Sequence, residues 1–596
     1  MAVEHPAGVL CSYDARERSF QAEMNMKKQI AEHLAPQIGS LDEEGILALL
    51  EYPPNPEMGD VSLPCFKLSK TLRKAPDAIA RELKNNMPPH PLVQRVEAVS
   101  GYLNFYLDPA AFAGQLVSEI LQKRDRYGSQ DVGGGRTIVI DYSSPNIAKP
   151  FHIGHLRSTV IGHSLARIFT FMGYRCVRVN HLGDWGTQFG KLIAAYLRWG
   201  DRTKIEQDGI DELLRLYVKF HEEAEQNPEL EDEGRAWFVK LEQGDAQANE
   251  LWKWFIGISL NEFEKIYKFL GVTFDSYAGE SFYNDKLDKV IDGLRAKNLL
   301  EQDEGALIVR LDEFNMPPVL ILKKDGSSLY HTRDIAAAIY RKETYDFDKA
   351  IYVTDYAQNL HFQQWFKVIE LMGFEWAKDL VHVPFGRVSL EGGVGLSTRK
   401  GNVVKLEDLL KQTIEKTREI IEAKNPSLAN KDEVARQIGA GAVIFSDLSA
   451  GRIKDVVFSW EEALNFDGET GPYVQYTHAR ACSVLRKAGG GSVDGVRLEP
   501  AEIPVEWLLD AEAQQVLKQL YLFPEKVHQA MDKLEPSVVS RYLIDLAQSF
   551  NRFYHDCPIL VEDAALRTAR LALVECVRTT LARGLHLIGL EAPEQI

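Results

Sequence analysis

Residues 136–180 constrain the fold of this chain more tightly than any other stretch. RTIVIDY (136–142) is a short β-branched run, the mark of a buried strand. IGHLRSTVIGHSLARIFTFMG follows, with Ile153, Leu156, Val160, Ile161, Leu165, Ile168 and Phe169 at helical spacing. Gly173 suits the end of that helix, and YRCVRVN (174–180) returns to strand character. Strand, helix and strand in so short a span make a βαβ unit, the building block of a doubly wound parallel sheet.

The chain has 596 residues, which suggests three or four domains. Its six cysteines, Cys11, Cys65, Cys176, Cys482, Cys557 and Cys576, are scattered without a C-x-x-C pair. Neither a zinc ribbon nor a disulfide framework is expected, and a reducing cytoplasm fits. The first twenty residues hold no apolar core of a signal peptide and already carry Glu4 and Asp14. No run of about 18 apolar residues occurs, so no membrane association is expected. The formal net charge of -17 speaks against bulk nucleic-acid binding. Local basic patches can still grip RNA, because charges more than about 10 Å away are screened.

Residues 1–130 read as a separate α+β domain. Within it, CFKLSKTLRKAPDAIARELK (65–84) has helical turns bearing Lys67, Lys70, Arg73, Lys74, Arg81 and Lys84. These form either a solvated face or a phosphate-contacting patch. DVGGGR (131–136) is a plausible joint. The doubly wound domain is expected over 131–405, with a charged helical insertion at about 190–275. Strand signals return at ALIVRL (306–311) and AIYVTD (350–355). From there the pattern is mostly helical: a helical region at 406–465 and an all-α domain at 466–596.

FHIGH places His152, Gly154 and His155 at the start of the first helix, where such a sheet leaves a crevice at the carboxyl ends of its strands. A helix N-terminus offers unpaired N–H groups and a positive dipole end. Imidazoles there can donate to phosphate oxygens, and Gly154 lets a flat purine approach the backbone. Donors so placed can stabilise charge that grows in a transition state.

PNIAKPFHIGHLRST resembles the signature of class I aminoacyl-tRNA synthetases, in the form found in arginyl-tRNA synthetases. NHLGDWGTQFG (180–190), LYHTRD (329–334), GLSTRKGN (395–402), GPYVQYTHAR (471–480) and LHLIGLEAPEQI (585–596) resemble the same family in the same order. GDVSLPCFKLSK (59–70) and GYLNFYL (101–107) resemble its N-terminal domain. The resemblance implies a Rossmann-type catalytic domain with a helical insertion, an α+β N-terminal domain and an all-α anticodon-binding bundle, with 406–465 contacting the tRNA stem. It implies ligation of L-arginine to tRNA(Arg) with ATP and Mg²⁺, through an arginyl-adenylate, by a cytoplasmic monomer. Two other readings compete: a nucleotidyltransferase with the same His-x-Gly-His turn, and a non-catalytic RNA-binding relative.

By resemblance, the mobile phosphate clamp is Leu396-Ser397-Thr398-Arg399-Lys400-Gly401, with Thr398 where the common form has a lysine. The family implies that Lys149 supplies the lost charge, beside the catalytic His152, Gly154 and His155. Ser397, Arg399 and Lys400 join the catalytic set, and Leu396 and Lys400 the ATP contacts. A pocket for arginine must accept from a planar fork of donors. Tyr330 and Asp334, four apart on one helical face, and Asp141 at the first strand's end are implied to hold the guanidinium. Asn146 and Gln358 are implied to hold the α-amino and carboxylate groups, with Ser143 nearby. A polar pocket of this kind rejects lysine by about 10⁴, so no editing domain is expected. Lys70, Arg73, Lys74, Tyr473, Tyr476, Arg480 and the terminal Ile596 are implied to contact tRNA, tyrosines by stacking on splayed bases.

Overall fold

The structure, a computed structural model, describes residues 26–53, 55–324, 326–390 and 405–596. It divides into two compact units. The first takes the chain up to Arg124, together with Arg497–Leu517 and Val561–Leu573. Its sheet holds β1 (Val61–Pro64), β2 (Val93–Val99) and β3 (Tyr102–Leu107) in the order β1-β3-β2, all antiparallel. Ser100 and Gly101, at φ 50° and 80°, form the β2–β3 turn, the left-handed pair that a tight hairpin needs. The basic segment breaks at Arg73 (φ 52°), because Pro76 at the start of the helix Pro76–Asn86 keeps Ala75 extended.

The second unit holds the parallel sheet. β4 (Thr137–Asp141) and β5 (Arg175–Val179) stand where the sequence predicts them. A separate antiparallel sheet, β6 (Glu301–Asp303), β7 (Ala306–Val309) and β8 (Val319–Leu322), takes up ALIVRL. Its hairpin turn, Glu304-Gly305 at φ 45° and 88°, folds β7 back on β6 and keeps it out of the parallel sheet. β9 (Lys349–Asp355) is the second central strand, and β10 (Leu380–Phe385) an edge strand with no counterpart in the sequence reading. Pro384 is tolerated there because an edge strand has a side without ladder bonds. β11 (Val388–Leu390) and β12 (Val456–Phe458) form a small parallel pair.

The order β10-β9-β4-β5 decides where chemistry can occur. The helix Ile153–Phe171 crosses from β4 to β5, and the helix Asn359–Leu371 crosses from β9 to β10, moving outward in the opposite direction. Right-handed crossovers then put the two helices on opposite faces, and a crevice opens between them at the carboxyl ends of β4 and β9. The core on one face joins Val139 and Ala350 to Ile335, Ile339, Trp365 and Val368. On the other face the helix Ile153–Phe171 packs so closely that a Cβ on Gly162 would stand 2.2 Å from Tyr142 Cγ.

The insertion is helical, with Thr187–Trp199, Arg202–Asp208, Ile210–Gln226, Glu229–Glu242 and Ala246–Leu270 in succession. The remainder of the chain is carried by Leu406–Lys424, Lys431–Leu448, Gly471–Ala488, Ser537–Asp556 and the longer helices Ala511–Asp532 and Ala564–Leu587. The last residues are tied down: Gln475 donates to the Glu591 carbonyl (2.9 Å), and the His478 ring meets the Pro593 carbonyl (3.0 Å).

Candidate active site

His152 is the N-cap of the helix that follows β4. Its Nδ1 accepts from the Gly154 N–H (3.0 Å), and its own N–H donates to His155 Nδ1 (3.2 Å). The two orphan donors of the first turn are thus satisfied by the two imidazoles. A nitrogen that accepts carries a lone pair, so each ring holds its proton on Nε2. Burial and the Lys149 ammonium hold His152 down at about 4, and His155 well below the ordinary range through burial, His152 and Lys149. Both rings are therefore neutral at pH 7. They lie 3.9 Å apart between centroids, leaving two Nε2–H donors beside a lysine at the crevice.

The loop before this turn is held by polar side chains. Ser143, Ser144 and Ala148 have φ of 71°, 45° and 59°, a strained path for non-glycine residues. Ser158 Oγ accepts from the Ser143 N–H (2.9 Å), Asn180 from Ser144 (3.1 Å) and Ser259 from Ala148 (2.9 Å). Asn146 is exposed on this loop and pairs with Gly183, and Gln358 is exposed at the end of the short turn after β9. Lys405, where the described chain resumes, bridges to His152, and Leu406 N–H donates to the Phe151 carbonyl (3.0 Å). Leu396, Ser397, Arg399 and Lys400 lie outside the described residues.

Two expected arginine contacts have partners within the chain. Asp141 is buried and already pairs with a guanidinium of the chain itself: Arg341 Nη1 stands 2.8 Å from its Oδ2, and Ser144 Oγ donates to Oδ1 (2.8 Å). With both oxygens engaged, it is a buried counter-ion. Ser143 Oγ is likewise occupied, by Thr159 Oγ1 and the Tyr267 hydroxyl, each at 2.8 Å.

A different carboxylate joins Asp334. Burial, then the neighbouring Asp334 charge, pushes Glu280 up to about 8, with Arg333 acting against the rise. Glu280 in turn raises the Tyr330 phenol, after its desolvation. Tyr330 is 60% exposed at the first turn of the helix Tyr330–Tyr345, and Asp334 one turn later accepts from His361 Nε2 at 2.6 Å. Glu280, Asp334 and Tyr330 thus act on one another, with Arg333 opposing the effect on Glu280 and Tyr330. Sequence reasoning missed Glu280 because SYAGESFY has neither period nor motif; only the fold brings it to Asp334.

A family model described as "tRNA synthetases class I (R), catalytic domain" matches residues 116–460. Those for the arginyl tRNA synthetase N terminal domain and the DALR anticodon binding domain match 24–107 and 474–596. The arginine–tRNA ligase of Alkaliphilus metalliredigens is 55% identical over 572 residues, 96% of this chain and 100% of that protein. This chain belongs to the class I arginyl-tRNA synthetases. The arginine–tRNA ligase of Clostridioides difficile is also 55% identical to the synthetase, over 96% of this chain and 100% of its own. Among solved structures, the Thermus thermophilus arginyl-tRNA synthetase superposes with a TM-score of 0.79 at 27% identity, covering 96% of this chain and 100% of that one.

The synthetase's expected RNA contacts fall into two groups. Lys70, Arg73 and Lys74 are all exposed, and Lys74 pairs with Glu82 at 2.5 Å. On the helix Gly471–Ala488, Tyr476 is exposed and the Arg480 guanidinium lies over both Tyr476 and Tyr554, 5.1 Å from each ring centre. Tyr473 has a structural bond, its hydroxyl accepting from Asn551 (2.9 Å). Ile596 packs against Ile421 and Val434, and its carbonyl accepts from Asn425 (3.3 Å).

Proposed function

We propose that the chain joins L-arginine to tRNA(Arg) in two steps at the crevice of the parallel sheet. First, an arginine carboxylate oxygen attacks the α-phosphorus of ATP, forming arginyl-adenylate and releasing pyrophosphate. Then the 2′-hydroxyl of the terminal ribose attacks the arginyl carbonyl, its proton leaves, and AMP departs. The observation that carries this reading is the pair of neutral imidazoles at the switch point, whose Nδ1 atoms both accept backbone N–H groups and so leave the Nε2–H donors to face a ligand.

The His152 and His155 Nε2–H groups donate to phosphate oxygens, where negative charge grows as pyrophosphate leaves. Lys149 adds a positive charge, and Ser397, Arg399 and Lys400 of the basic segment contact the nucleotide. Mg²⁺ enters with the ATP phosphates. Asp334 and Glu280 accept from the substrate guanidinium, with Tyr330 covering it, and Asn146 and Gln358 hold the amino-acid end. Lysine would leave a planar set of acceptors half-used. Lys70, Arg73, Tyr476 and Arg480 contact tRNA. The enzyme acts as a cytoplasmic monomer. No described helix is long and apolar enough to cross a membrane.

ATP–pyrophosphate exchange measured with each of the twenty amino acids, with and without tRNA, tests the assignment. Exchange driven by arginine alone is expected. Exchange driven equally by lysine or glutamine would overturn the pocket.

A further inference from the structure

The helix Ile153–Phe171 has a second polar surface, away from the His152 turn. It lines a cavity of about 850 Å³ with β5 and the end of the helix Ala564–Leu587. Arg126, Arg167, Arg175, Arg178 and Arg583 all face this space. Ion-pair partners are few: Arg178 pairs with Asp275 (2.9 Å) and Arg583 with Asp125 (3.2 Å). Among the described residues these five guanidinium groups thus form two ion pairs, in a chain whose net charge is -17. Arg167 donates instead to the His586 carbonyl (2.6 Å) and makes no ion pair among the described residues.

His163 lies in the wall, only 6% exposed, with neither ring nitrogen hydrogen-bonded to another described residue. A buried polar group without a partner costs about 1–3 kcal/mol and demands an explanation. Its neighbours show the same imbalance. Burial first, then Arg167 and Arg583, holds His586 down at about 4, and burial lowers Arg167 and Arg583 themselves. Phe171 and Tyr174 also line the space, and the Arg583 guanidinium stands 5.5 Å from the Phe171 ring centre. Bidentate donors for phosphate oxygens, an uncommitted imidazole and two aromatic rings sit in a volume typical of small-ligand sites.

We propose that this cavity binds a nucleoside polyphosphate, its phosphates on the arginines and His163 and its base against the aromatic rings. The site is separate from the His152–His155 turn and does not depend on the reaction assigned there. A recessed space suits a free nucleotide better than an RNA backbone, which runs over convex or grooved surface.

Equilibrium dialysis of the full chain with ATP, without arginine, tests it. Two ATP molecules per chain are expected. Arg126 and Arg175 are exposed and make no ion pair among the described residues, so the double substitution Arg126→Gln, Arg175→Gln is compatible with folding. It should weaken one ATP site at least tenfold, while the KM for ATP in pyrophosphate exchange stays the same. One ATP per chain, or two sites both untouched by the substitutions, would overturn the proposal. So would a variant that binds ATP normally but loses affinity for tRNA, since that outcome would make the patch an RNA contact.

Discussion

At the scale of single residues, the two carboxylates near Tyr330 make the sharpest chemical statement. Glu280 holds its proton up to about 8, so without arginine it is mostly neutral at pH 7. A bound guanidinium favours the ionised form and pulls that value down, so binding must release a proton. Arginine affinity should therefore rise between pH 6 and 8 and level off above. Calorimetry at pH 7 in buffers of different ionisation enthalpy should find close to one proton released, and none in Glu280→Gln. Release of no proton by the unaltered chain would remove Glu280 from the pocket. His152 needs a different control, because it both caps a helix and offers a donor. His152→Asn keeps a side-chain acceptor at the cap, so stability should change by less than about 1 kcal/mol. The charging rate should still fall about 10²-fold, as for one lost transition-state donor. The sequence revealed the His-x-Gly-His turn because cap, spacing and position after a strand are all local. It gave no sign of the Asp141 ion pair, since only the fold brings Arg341 onto that carboxylate from 200 residues away.

At the scale of elements, the helix Ile153–Phe171 carries the turn, and one ion pair fixes its place. Arg157, fully buried, stands 3.1 Å from Asp447 on the helix Lys431–Leu448 and donates to the Lys454 carbonyl at 2.7 Å. Asp447→Ala would strand a buried guanidinium, at a cost of about 3–5 kcal/mol in unfolding free energy. Denaturant titration would read it, and a loss below 1 kcal/mol would show that the pair is solvated. The strand–helix–strand unit was legible because its periods are strong and its ends are marked. The edge strand β10 was not, because LVHVPF mixes His and Pro into a short apolar run. ALIVRL was legible as a strand but not as to its sheet, since partner choice depends on the Glu304-Gly305 turn rather than on composition.

At the scale of the whole molecule, an acidic chain must find an acidic RNA through local patches. Lys70→Ala with Arg73→Ala should weaken tRNA binding at every salt concentration. It should also reduce the slope of log affinity against log salt by about 1 to 2, one counterion contact per residue. An unchanged slope would return this patch to the role of a solvated face. Tyr476→Ala should cost about 1–3 kcal/mol of tRNA affinity if a base stacks there, without altering arginine binding. The account as a whole rests on paired imidazoles stabilising the departing pyrophosphate. Single-turnover charging of tRNA by His152→Asn, His155→Ala reads that directly, with circular dichroism to confirm the fold. A fall of at least 10³-fold in a folded variant is predicted. Charging at the native rate would contradict it.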